Sequence, residues 1–183
     1  MKNYKKNLEL LTKNHVYTKE MEHDACGVGL IASTEGKKSR TVVEYGIEAL
    51  KAVWHRGAVD ADGKTGDGAG IHVEIPKDFF VEKIEVTGHD YDNSEICVGM
   101  IFLPRNDYSS QESCKTIVES ELTKNNFSIY GWRQVPVNPK VLGEKAFQTM
   151  PEIIQVLFKS NDPNLLDKNL ERKIYETRKR IEN

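Results

Sequence analysis

Two nearly unbroken apolar runs constrain the fold of this chain more than any other feature. Ile96 through Leu103 and Ile153-Ile154-Gln155-Val156-Leu157-Phe158 present almost no polar side. A strand with one wet face alternates apolar and polar residues, whereas one lacking that alternation is covered on both faces. The sheet that holds these two strands must therefore carry a layer on each side. Phe127-Ser128-Ile129-Tyr130-Gly131-Trp132-Arg133-Gln134-Val135 is a third strand, ended by Pro136. Ile71, Val73 and Ile75 alternate with His72 and Glu74, which predicts a strand with one buried face, ended by Pro76. Ala25-Cys26-Gly27-Val28-Gly29-Leu30-Ile31-Ala32 predicts another short buried strand.

Helical spacing fills the intervals. Val43, Ile47, Leu50 and Trp54 share a face, and Gly57, just after His55-Arg56, suits a helix C-terminal cap. Asp78-Phe79-Phe80-Val81 reads as a helical turn. From Ser110 onward Cys114, Ile117, Val118, Glu121 and Leu122 mark a face, with Glu121 a poor core member. The last helix runs through Leu166, Leu170, Ile174 and Ile181, with Asn164 as its expected cap. The order is strand, helix, strand, strand, helix, strand, strand, helix. It predicts an α+β fold, either two stacked sheets with helices outside or a plain α+β domain.

With 183 residues, one domain is the default expectation. The balance of 26 Lys+Arg against 28 Asp+Glu gives no argument for nucleic acid. No apolar run is long enough to span a bilayer, and the basic N-terminus has no apolar segment after it to act as a secretory signal. Three cysteines, Cys26, Cys97 and Cys114, fit reduced thiols in a cytoplasmic protein rather than a disulfide framework or a metal ligand set. His55, His72 and His89 have no metal-ligand spacing, so no metal site is expected.

Cys26 stands out. Gly27 and Gly29 leave room beside its sulfur, whereas Cys97 and Cys114 read as structural. Residues 1–25 are polar, with one apolar patch at Leu8, Leu10 and Leu11, and read as a leader or an N-terminal arm. If the leader is removed, the α-amine of Cys26, of reference pKa about 7.7–8, is a general base built into the nucleophile. The Gly/Asp-rich loop 57–70 invites a nucleotide reading through Gly66-Asp67-Gly68-Ala69-Gly70. A phosphate loop follows a strand and opens a helix, however, and this run follows a loop and precedes a strand.

The segments Asp24-Ala25-Cys26-Gly27-Val28-Gly29, His55-Arg56-Gly57-Ala58, Ala61-Asp62 and Thr65-Gly66-Asp67-Gly68-Ala69-Gly70-Ile71 resemble the start of the glutamate synthase large-subunit family. Leu103-Pro104-Arg105, Gly131-Trp132-Arg133-Gln134-Val135-Pro136-Val137 and Leu142-Gly143 continue the resemblance in order. It implies a class II glutamine amidotransferase domain over residues 26–183, part of the αββα sandwich of N-terminal-nucleophile hydrolases. It implies residues 1–25 as a propeptide cleaved between Ala25 and Cys26. Cys26 is then the catalytic nucleophile that attacks the glutamine side-chain amide. Arg56, Gly57, Asp67 and Gly68 are the implied substrate-binding residues, Arg56 orienting the site.

The same resemblance places the family's carboxylate-gripping arginine, its Asn-Gly oxyanion hole and its amine-holding aspartate further along than residue 183. An oxyanion-hole donor is commonly worth ~10²–10³ in rate. This segment by itself is therefore expected to be a very poor glutaminase. FMN and an iron–sulfur cluster belong to the family's full-length enzyme, with no cofactor expected in this segment. The implied partners are L-glutamine, the remainder of the large subunit and a small subunit. The competing expectation is a non-catalytic remnant or interaction module that keeps the strand scaffold.

Overall fold

The computed structural model describes Lys6, Glu9, Leu10, Thr12, Lys13 and residues 27–54 and 57–183. In chain order its elements are α1 (Arg40–Ala52), α2 (Lys77–Val86), β1 (Cys97–Leu103), α3 (Tyr108–Lys124), β2 (Phe127–Gln134), α4 (Glu144–Thr149), β3 (Glu152–Ser160) and α5 (Asp167–Ile181). They are α+β in class and fall into two compact units. One comprises residues up to Ala58 together with Asp67–Ile71; the other comprises Val59–Gly66 and His72–Asn183.

The second unit holds an antiparallel sheet in the order β1-β3-β2. β1 and β2 run parallel to each other, so α3 joins them as a crossover and leaves a gap that β3 later fills. Val98 pairs with Leu157 and Ile101 with Ile154 on one side of β3, and Trp132 pairs with Val156 on the other. The central position explains the composition of β3. Val156 and Phe158 pack with Cys97, Val118, Leu122, Phe127 and Leu170 beneath α3 and α5. Leu157, one step out of phase, packs with Phe80, Ile84, Ile96 and Tyr130 on the α2 side. Both faces of the strand are dry, as its unbroken apolar run requires.

Local chemistry sets the helix ends. The Asp107 carboxylate accepts from Ser110 N at 3.0 Å and caps α3, and Gln111 Nε2 donates to the Pro104 carbonyl at 2.7 Å. Ser39 Oγ accepts from Thr41 N at 3.1 Å to start α1.

Several sequence expectations need correction. Residues 27–33 form no strand, and Val28 and Leu30 are 92% and 89% exposed. Residues 71–75 likewise form no strand, with Ile71, Val73 and Ile75 exposed. Among the described residues, ladder pairing joins only β1, β2 and β3, plus a bridge at Val59 and Gly66. A strand-forming segment without a partner edge has nothing to bond its backbone to. α1 ends at Ala52 and its C-cap is Val53 rather than Gly57, which leaves Trp54 76% exposed and off the helical face. Asn164 lies in a turn, its N–H given to Asp162, and α5 starts after Leu166 with no side-chain cap. On α3, Ile117 is exposed, while the Glu121 side chain is mostly shielded and paired with Lys124 at 2.7 Å.

Candidate functional site

Cys26, its cleavage partner Ala25 and Arg56 lie outside the described residues, as does most of segment 1–25. The other expected site residues, Gly57, Asp67 and Gly68, are all exposed and all in the first unit. Gly57 N donates to the Trp54 carbonyl at 3.1 Å, a turn that closes the end of the α1 segment. Asp67 ties the loop's two limbs together. Its Oδ2 accepts from Ala58 N at 2.8 Å, and its own N–H donates to the Ala58 carbonyl at 3.3 Å. The structure therefore brings Asp67 next to the residue that follows Gly57. Gly68 has open space where a side chain would stand.

The tip of the same loop, Val59–Gly66, belongs to the second unit and is a small hairpin. Asp60 N donates to the Thr65 carbonyl at 2.7 Å, and Gly63 N donates to the Asp60 carbonyl at 2.9 Å. Asp62 organises the turn. Its Oδ1 accepts from Lys64 N at 2.9 Å and Thr65 N at 2.7 Å, and its Oδ2 accepts from Thr65 Oγ1 at 2.5 Å. The Thr65 hydroxyl, then the Lys64 and Thr65 backbone N–H groups, hold the Asp62 carboxyl well below the usual carboxylate range, with a smaller contribution from the Glu144 N–H. Lys145 Nζ reaches Asp60 Oδ2 at 2.6 Å. The hairpin is thus fastened to the first turn of α4.

Sequence reasoning noted Ala61-Asp62 without giving Asp62 a role. The signal was available in part: an aspartate followed by Gly63-Lys64-Thr65 is turn chemistry, in which a short carboxylate bonds the backbone two and three residues on. The attachment to α4 leaves no local signature.

Cys97 and Cys114 are free, and burial pushes the Cys97 thiol up to about 12, with Glu95 and Glu171 adding to the shift. A thiol so held is inert at neutral pH. Among the described residues no group of three or more His, Cys, Asp or Glu side chains could hold a metal ion, and no helix is long and apolar enough to cross a membrane. A surface groove of about 430 Å³ lies between the end of β1 and the segment from Gln148 to Pro151, and none of the expected site residues lines it.

Comparison with known proteins supplies what the geometry leaves open. Residues 26–183 match the family described as class-II glutamine amidotransferases, so the match begins on Cys26 itself. The glutamate synthase [NADPH] large chain of Azospirillum brasilense is 52% identical over 98% of this chain, which covers 12% of that protein. Ferredoxin-dependent glutamate synthases of Pyropia yezoensis and Arabidopsis thaliana are 40% and 41% identical over 89% and 88% of the chain, in each case 10% of the relative. The chain thus spans about a tenth of the length of these relatives. The fold class, the ordered motifs and the match across residues 26–183 agree, and the chain belongs to the class-II glutamine amidotransferases.

Proposed function

We propose that residues 26–183 are the N-terminal portion of the glutaminase domain of a glutamate synthase large chain, and that residues 1–25 are a propeptide removed between Ala25 and Cys26. The observation that carries this is the family match that starts on Cys26, joined to 52% identity with a glutamate synthase large chain.

In this reading the α-amine of Cys26 takes the thiol proton, and the thiolate attacks the side-chain amide carbon of glutamine. The amine then gives the proton to the departing nitrogen, ammonia leaves, and a γ-glutamyl thioester remains. Water, deprotonated by the same amine, releases glutamate and restores the thiol. Arg56, Gly57, Asp67 and Gly68 line the glutamine site, with Arg56 orienting it. The ammonia passes to 2-oxoglutarate elsewhere in the full-length enzyme. The αββα sandwich is the finer fold assignment, in which the exposed apolar residues of 27–33 and 71–75 pair as strands with further polypeptide. The described residues do not fit an iron–sulfur cluster: their two free cysteines lie on different elements, one of them buried. We therefore assign FMN and the cluster to the remainder of the large chain, and we place the enzyme in the cytoplasm, with a small subunit where the electron donor requires one.

The test uses the full-length enzyme. N-terminal sequencing should find Cys26 as the first residue, and a glutamine-analogue diazoketone should label it. Cys26→Ser should lower ammonia release from glutamine by ~10³-fold or more, the scale of losing a catalytic nucleophile. An intact leader, with glutamine turnover unchanged by Cys26→Ser, would refute the proposal and favour a non-catalytic module.

A further inference from the structure

β1 and β2 are the two margins of the three-stranded sheet, and their free edges differ in kind. β2 carries the devices that close an edge. It has a bulge at Tyr130, the Tyr130 carbonyl accepts from Thr87 Oγ1 at 2.8 Å, and Arg133 adds a charge. β1 carries none of these. Its residues, Cys97–Leu103, include no charge and no proline, and its register against β3 is unbroken. Among the described residues no strand pairs along its outer side, and Met100 and Phe102 are 49% and 64% exposed. An apolar edge of this kind is a template for another strand.

The course of the chain says where that strand comes from. α3 carries the chain from β1 across to β2, and α5 starts a second crossing from β3. Val118 and Leu122 of α3 and Leu170 of α5 pack on Val156 and Phe158, so both helices cover one face of the sheet. Crossovers between parallel strands of one sheet share a hand in about 98% of cases. β3 runs antiparallel to β1, so a crossover of the same hand over the same face moves the opposite way. The first moves from β1 past β3 to β2. The second moves from β3 past β1, to the outside of β1. From β1 onward, and apart from the short α4, the order matches a β-α-β-β-α-β plait up to its last strand. We infer that the free edge of β1 is the docking seam for a strand of the same polypeptide that follows α5, about 5–7 residues long, parallel to β3 and antiparallel to β1. This rests on the reading above, in which the large chain continues beyond Asn183. α5 packs on the cluster through Leu170, Ile174 and Ile181, and so leads back along β3 to its Glu152 end, where Leu103 of β1 lies opposite. The added strand starts beside Leu103 and runs towards Cys97, its backbone about 4.8 Å from that of β1 and its apolar side chains on the α5 side.

The experiment uses the full-length enzyme carrying Met100→Cys in a Cys114→Ser background. The new thiol is labelled with benzophenone maleimide and irradiated, and cross-links from position 100 are located by mass spectrometry. Met100 is mid-strand and exposed, so a strand added to β1 comes within reach of the label. Cross-links are expected within about 20 residues after Asn183, room for a short connection and a strand. Amide exchange of the unsubstituted enzyme gives a second readout that no variant can disturb. A strand paired on one side has alternate amides bonded, and a strand paired on both sides has all of them bonded. All amides of Val98–Phe102 should therefore exchange ~10²-fold or more slowly than unpaired amides. Free exchange at every second position would overturn the inference. So would cross-links confined to a second copy of the chain, to a small subunit, to residues 27–33 or 71–75, or to distant parts of the large chain. An enzyme that releases ammonia from glutamine but cross-links elsewhere loses this inference and keeps the glutaminase reading. One that releases no ammonia but cross-links just beyond Asn183 loses that reading and keeps the seam.

Discussion

Cys97 is a thiol that its packing withdraws from chemistry. Cys97, the first residue of β1, is 4% exposed in the cluster beneath α3 and α5, and its thiol is pushed up to about 12. At pH 8 such a thiol stays protonated, so alkylation with iodoacetamide should leave Cys97 unmodified until the chain unfolds, with half-buried Cys114 reacting before it. Tyr130 is raised in the same direction, by burial first and then by Asp92, whose carboxylate accepts its hydroxyl at 2.9 Å. Both groups keep their protons in the fold at pH values where the unfolded chain has lost them. Their contribution to stability is thus fully present below about pH 8.5 and is lost as the pH rises towards 12. Urea midpoints should fall over that interval, and Cys97→Ala together with Tyr130→Phe should flatten the fall. At this scale the sequence is legible where burial decides: the apolar run from Ile96 to Leu103 that holds Cys97 already marks it as structural. Asp62 is legible as a turn residue, whereas the tie of its hairpin to α4 through Asp60 and Lys145 comes from a distant part of the chain.

Among elements, β2 shows how one residue can re-aim a strand. The pairing of β2 with β3 slips between Ile129 and Gly131, a bulge at Tyr130. Ile129 packs on the α3 side and Tyr130 on the α2 side, and the extra residue returns Trp132 to the α3 side. There its Nε1 donates to Glu119 Oε1 at 2.7 Å. Gly131 makes this cheap, since its φ of 150° is one that side-chain-bearing residues rarely adopt and a Cβ would meet Thr87 Cγ2 at 2.8 Å. Gly131→Ala should therefore destabilise the protein by about 1–3 kcal/mol in urea unfolding; a change under 0.5 kcal/mol would mean that Thr87 and the bulge adjust freely. The strands that were legible, β1, β2 and β3, are those whose partners lie within the same run of chain. Segments 27–33 and 71–75 carry strand-like patterns of similar quality yet form no strand, because period and composition state a preference and a neighbouring edge is needed to realise it.

For the molecule as a whole, the distribution of burial matters more than the element count. Among the described residues, both clusters of buried side chains lie in the second unit, and β3 separates them, with Val156 and Phe158 facing one cluster and Leu157 the other. In the first unit α1 has no buried residue of its own, and its described ion pairs, Arg40–Glu44 and Lys51–Glu48, are exposed. Exposed pairs of this kind contribute at most a few tenths of a kcal/mol each. Amides open locally at a free energy set by the packing around them, so protection should be graded along the chain. The β3 amides, bonded on both sides and covered on both faces, should exchange only through global unfolding, and those of α1 should exchange through much cheaper openings. Leu157 provides the decisive variant, being fully buried at the centre of the α2-side cluster. Leu157→Ala removes its contacts and leaves a cavity, at a cost of about 2–5 kcal/mol. Native-state exchange should show the β3 amides losing protection by that full amount, since their only route to exchange is the transition the mutation favours. The α1 amides should change little, because they already open at lower cost. Protection of α1 equal to that of β3 in the wild-type chain would contradict this gradient and require burial for α1 that its own residues do not show.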